Sequence, residues 1–154
     1  MPLKLSLKPH EKILINGAVI ENCGGRCELA VHNTASLLRQ KDIMREEHAT
    51  TPARRIFFLI QMIYISQEQR EQRLALFRQI LAEFIAASPS SVDLVLEINR
   101  LVEAADFYAA LQVCRKLIQH EQRILDHGTA QLSGVREDAE DRRESAGNAG
   151  TSAD

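Results

Sequence analysis

Eight basic residues in the first part of the chain, Lys4, Lys8, Lys12, Arg26, Arg39, Lys41, Arg54 and Arg55, are of a type and spacing suited to binding phosphate. Residues 1–55 hold nine Lys or Arg against six Asp or Glu, although the 154-residue chain has a net charge of −2. A plain reading competes with a nucleic-acid surface, because lysines and arginines on strands also keep sheet edges soluble. Catalysis has less to work with. The sequence has no Gly-rich phosphate loop, nucleophile elbow or His-Glu-x-x-His pair, and His10, His32, His48, His120 and His127 are scattered. No catalytic residue is expected, and the protein is not read as an enzyme. Cys23 and Cys27, with His32 nearby, have a spacing that invites a metal, but Cys27 falls on the inward side of a predicted strand, where free cysteine is a common small apolar residue. Neither a metal nor another cofactor is expected. His120 and Glu121, near Arg115, Lys116 and Arg123, read as a solvated helix face. Phe57, Phe58, Tyr64, Phe77, Phe84, Phe107 and Tyr108 fall at core spacing on helices, so they read as core and not as base-stacking groups.

The elements that must position these groups change character at the charged stretch 41–55. Before it, Leu3, Leu5 and Leu7 alternate with Lys4, Ser6 and Lys8, which predicts a strand with leucines on one face and lysines on the other. Lys12–Ile15 and Ala18–Ile20 flank Asn16-Gly17, a hairpin signal, because both turn residues tolerate positive φ. Arg26–His32 alternates again, with Cys27, Leu29 and Val31 inward, and Leu37-Leu38 adds a short apolar pair. Four or five short strands cannot stand alone and need a cover.

That cover is expected from residue 52 onward. Thr51-Pro52 reads as a helix start, opening a segment 52–65 that is apolar nearly all round except at Gln61. Arg54 and Arg55 in its first turn call for compensation by Glu46, Glu47 or a partner. Ser66 and Gln69 form a capping-box pattern before a stripe of Leu74, Phe77, Leu81, Phe84 and Ile85. Ser88–Ser91 caps a helix with Val95, Ile98, Leu101 and Val102 inward. Asp106 caps the last helix, whose apolar repeat runs through Ile124 and Leu125 to a stop at Gly128. The fold class is therefore α+β, a small N-terminal antiparallel sheet or partly closed barrel (1–44) packed on a bundle of about four helices (45–128). Residues 129–154, where apolar residues nearly vanish, are expected to form a disordered tail. The longest apolar run, Ile56–Ile65, is too short to span a bilayer, and the first residues lack a secretory core, so no membrane partner is expected. Three cysteines, an odd number, suit a reducing compartment, and the expected location is the cytoplasm.

Five blocks extend the reading. Ser6-Leu7-Lys8-Pro9, Asn16–Asn22, Lys41-Asp42-Ile43-Met44, Ala49–Ile56 and Leu111-x-x-Cys114-Arg115-Lys116-Leu117-Ile118 resemble the FlbT family, in that family's order and over roughly residues 1–125. The resemblance implies a flagellar regulator that binds the 5′ untranslated region of flagellin messenger RNA and lowers its translation or stability. The partner so implied is a flagellin mRNA leader, met by the eight basic residues named above. A protein-binding adaptor acting on flagellin or another flagellar regulatory protein is the alternative. Homo-oligomerisation through an uncovered sheet edge is a further expectation. The sequence departs from the family pattern at His10, where a Gly is expected in the Pro-x-Glu turn.

Overall fold

A computed structural model describes the backbone of residues 1–147 and the side chains of residues 1–129. The class is α+β, as expected, with strands β1 (Leu3–Leu7), β2 (Lys12–Ile15), β3 (Ala18–Glu21), β4 (Cys27–Val31) and β5 (Leu37–Arg39). Helices α1 (Pro52–Ile65), α2 (Arg70–Ala87), α3 (Val92–Glu103) and α4 (Phe107–Gly147) follow. The strands form two antiparallel sheets instead of one sheet or a barrel, a pair β1-β4 and a triple β3-β2-β5. By packing, the chain divides into a unit Met1–Leu117, with all the strands, α1–α3 and the first turns of α4, and a unit Ile118–Asp154.

The hairpin forms where Asn16 (φ 49°) and Gly17 (φ 85°) give the left-handed pair of a tight turn. A Cβ on Gly17 would lie 3.0 Å from the Ile65 carbonyl oxygen, so the hairpin tip sits against the end of α1. Asn22 fastens the two sheets. Its amide Nδ2 donates to the Lys8 and Gly25 carbonyls at 3.0 and 2.9 Å, while its Oδ1 accepts the Gly24 N–H at 3.1 Å. His10 stands at φ 63°, which explains why a glycine suits that turn: a side chain there meets the left-handed penalty of about 1 kcal/mol.

Helix α1 is central, burying Ala53, Ile56, Phe57, Ile60, Gln61 and Ile63. Thr51 caps it as expected, its Oγ1 accepting the Arg54 N–H at 3.4 Å. Gln61, 2% exposed, is not an interruption of the apolar run. Its Oε1 accepts the Met44 N–H at 2.8 Å and its Nε2 donates to the Met44 carbonyl at 2.9 Å. One turn later, the Tyr64 hydroxyl accepts the Leu37 N–H at 2.9 Å and donates to the Leu37 carbonyl at 3.3 Å. The expected inward stripes of α2 and α3 are present, with Phe77, Leu81, Phe84, Val95, Ile98, Leu101 and Val102 buried.

Several expectations need correction. Ser66 closes α1 and its Oγ accepts the Glu68 N–H at 3.2 Å, while α2 is entered through Gln69 in the left-handed region, so no capping box forms. Helix α4 does not stop at Gly128 but continues to Gly147; one glycine costs a helix only about 1 kcal/mol and is not by itself a terminator. Of the segment expected to be a disordered tail, residues 148–154 lie outside the described residues. Ile124 and Leu125 are exposed. Glu121, expected on a solvated face, is buried, because it follows the buried Cys114 and Leu117 on one helical stripe.

Two stability measurements test this account. Gln61→Leu keeps the volume but strands the Met44 amide and carbonyl, and denaturant unfolding should register a loss of about 2 kcal/mol. His10→Gly relieves the left-handed turn and should add about 1 kcal/mol. A neutral Gln61→Leu would mean the clamp is replaceable by water.

Candidate functional site

The structure separates the eight basic residues into three places. Lys4 projects from the exposed face of β1, opposite Ala30 of β4, and Lys8 follows at the end of the same strand. Arg26 joins them, because its Nε donates to the Ser6 hydroxyl at 3.1 Å, and Ser6 shares the Lys4 face by alternation. Among the described residues, none of these three forms an ion pair, although Glu28 stands opposite Ser6 in the register.

The second place holds one exposed cation, Lys12, and one that is tied into the fold, Arg39. Lys12 stands across from Glu21 in the β2-β3 ladder. Arg39 lies 3.5 Å from Glu11 Oε1 and donates to the Ser6 carbonyl at 3.3 Å, so it ties β5 to β1. Arg39 is therefore a structural strut between the sheets, which a count of charges along the sequence could not reveal.

The remaining three lie on the elements that join strands to helices, Lys41 on the 3-10 turn Gln40–Asp42 and Arg54 and Arg55 on the first turn of α1. Of the expected compensation by Glu46, Glu47 or a partner, neither glutamate pairs with Arg54 or Arg55 among the described residues, and Glu47 lies 3.5 Å from Arg45 and 3.8 Å from His48. Asp42 pairs instead with Arg115 of α4 at 3.4 Å, and the Arg115 guanidinium sits 5.4 Å from the Phe57 ring centroid.

Beside these residues is a groove of about 370 Å³ that the sequence did not reveal, lined by residues including Leu3, Leu37, Arg39, Asp42, Tyr64 and Tyr108. Tyr108 is 51% exposed, so reading every aromatic residue as core was wrong for this ring. A signal was available. Tyr108 lies off the stripe of Leu111, Cys114 and Leu117 and shares a face with Gln112 and Arg115. The Tyr64 and Tyr108 rings are 6.3 Å apart, centroid to centroid, and tilted by 47°. Cys23 is exposed and Cys27 half-buried, and among the described residues no group of three His, Cys, Asp or Glu is placed to hold a metal ion. Nor is any single described helix long and apolar enough to cross a membrane.

Comparisons with known proteins add an independent line. A family model described as flagellar protein FlbT matches residues 3–125. The chain is 44% identical over 129 residues to a probable flagellum biosynthesis repressor protein FlbT of Caulobacter sp. (strain K31), covering 82% of this chain and 98% of that one. It is 42% identical over 135 residues to the flagellum biosynthesis repressor protein FlbT of Caulobacter vibrioides, covering 86% and 96% of the two chains. A probable flagellum biosynthesis repressor of Bradyrhizobium diazoefficiens is 35% identical over 125 residues, covering 80% and 85%. No solved structure matches.

The difference between strut and free cation is measurable. Arg39→Ala should lower unfolding stability by about 1 kcal/mol, whereas Lys4→Ala and Lys8→Ala should each change it by less than about 0.5 kcal/mol. Equal, negligible effects would return Arg39 to the pool of free charges.

Proposed function

This chain belongs to the FlbT family of flagellar proteins, and from that premise we propose that it is a non-enzymatic regulator of flagellin synthesis. In this reading it binds the 5′ untranslated region of flagellin mRNA in the cytoplasm and lowers that message's translation or stability. Its relatives bear the name flagellum biosynthesis repressor, which supports a regulatory role for this chain. The observation favouring RNA is the Lys4, Lys8 and Arg26 face of β1-β4, where three cations stand without ion-pair partners among the described residues. Phosphates reward such a face through counterion release, even on a chain whose overall charge is −2.

A second reading, an adaptor that binds flagellin or another flagellar regulatory protein, draws on the apolar lining of the groove beside Tyr108. Salt dependence separates the two. Purified protein should retard a flagellin leader in a gel, with affinity falling steeply as salt rises. Lys4→Glu combined with Lys8→Glu should weaken that binding and reduce the log–log salt slope by about one for each phosphate no longer neutralised. Absence of leader binding at low ionic strength, together with capture of flagellin, would replace the RNA reading with the adaptor.

A further inference from the structure

The groove between the two sheets, α1 and the start of α4 brings an exposed aromatic ring beside two charged side chains. Its volume of about 370 Å³ lies in the range of about 300–1,000 Å³ typical of small-molecule sites. One wall is the half-exposed Tyr108 ring, held beside Tyr64, whose hydroxyl is fully committed to the Leu37 backbone. The lip is Leu3, itself 51% exposed. Among its lining residues the charged ones are Asp42 and Arg39.

Neither charged group is exhausted by its partner. Asp42 Oδ1 meets one Arg115 nitrogen at 3.4 Å, and a carboxylate offers about four acceptor sites over its two oxygens. Arg39 makes two long contacts, at 3.5 and 3.3 Å, out of five N–H donors. An apolar side chain from a protein partner would cover the Tyr108 ring but leave the unused acceptors of the carboxylate and the unused donors of the guanidinium without partners, at a cost in desolvation. A planar heteroaromatic ring with a polar edge satisfies both halves of the site. Its face stacks on Tyr108, as unpaired RNA bases stack on tyrosines, while its edge exchanges hydrogen bonds with the charged pair. Among the bases, guanine has two adjacent N–H donors to match a carboxylate and acceptors at O6 and N7 to match a guanidinium.

We propose that the groove bounded by Tyr64, Tyr108, Asp42 and Arg39 takes one unstacked guanine base, its ring against Tyr108 and its donor edge on Asp42. This inference rests on the RNA reading and deepens it: the basic face holds phosphates without regard to sequence, and the groove supplies base preference.

The protein contains two tyrosines and no tryptophan, and both tyrosines line the groove, so their ring resonances report on it directly. Titrating the full chain with 5′-GMP should move both sets of ring signals, with 5′-CMP and 5′-UMP binding about ten-fold more weakly. Asp42→Asn should erase about that ten-fold preference. Tyr108→Ala, at an exposed position that tolerates truncation, should weaken every nucleotide, and Tyr108→Phe should restore binding. Ring signals that stay still with 5′-GMP, or one affinity for all the nucleotides, would overturn the base pocket. Continued binding of the leader in that case would leave the RNA reading standing. If 5′-GMP shifts the rings in wild-type protein that ignores the leader, the guanine site stands and the leader reading falls. If only an apolar flagellin peptide moves the tyrosines, the pocket assignment fails in favour of a protein partner.

Discussion

Gln61 is the side chain on which the rest of the structure depends. Helix α1 is apolar on most sides, and burying an amide there is unfavourable unless both its ends are satisfied. Met44 satisfies both, with its N–H and its carbonyl 2.8 and 2.9 Å from the amide. The geometry imitates a peptide pair in a sheet, so a helix side chain takes the place of a neighbouring strand for the segment after β5. Tyr64, three residues on and therefore on the same side of the helix, does the same at Leu37. Tyr64 thereby occupies the edge of β5 at Leu37, which would otherwise present unpaired backbone groups, and Gln61 serves the segment that follows. At the opposite edge, β3 leaves Val19 and Ile20 exposed.

The groove follows from the same arrangement. Two hydrogen bonds to Leu37 fix the Tyr64 ring, which in turn leaves Tyr108 beside it and half in solvent. Asn22 joins the sheets at one end, and Leu3 and Leu5 of β1 line the groove with Leu37 and Arg39 of β5. Asp42 lies between these features, tied to α4 by Arg115 and near the Met44 clamp in sequence. Two of the blocks that resemble FlbT, Lys41–Met44 and Leu111–Ile118, therefore meet through one ion pair.

Much of the fold was legible because its signals are local. Asn16-Gly17, Thr51-Pro52, the leucine alternation in β1 and the stripes of α2 and α3 each follow from backbone sterics or side-chain period. The misses came where a local signal had a distant competitor. Ser66 and Gln69 have the spacing of a capping box, but Ser66 is already the end of α1 and Arg70 is drawn toward the Ile63 carbonyl at 3.1 Å and the Phe107 ring. Gly128 reads as a stop only if the next residues cannot continue a helix, and alternating charges on 136–144 are compatible with one. Gln61 looked like a fault in an apolar run because its partner is backbone, which no side-chain pattern reveals.

The candidate site was legible as a set of cations and illegible as a surface, and Glu11 shows why. Its Oε2 accepts the Lys8 N–H at 2.8 Å while its Oε1 faces Arg39, so one carboxylate closes the turn around His10 and neutralises a residue twenty-eight positions away. Lys8 gives Glu11 only its backbone and keeps its ammonium outward, whereas Arg39 gives up its guanidinium. Sequence distance ranks these two the wrong way for any guess about which cation is free, since what matters is whether the backbone or the side chain meets the acid. A phosphate arriving at this edge therefore encounters Lys4, Lys8 and Arg26 as cations, with Arg39 already holding the two sheets together beneath them.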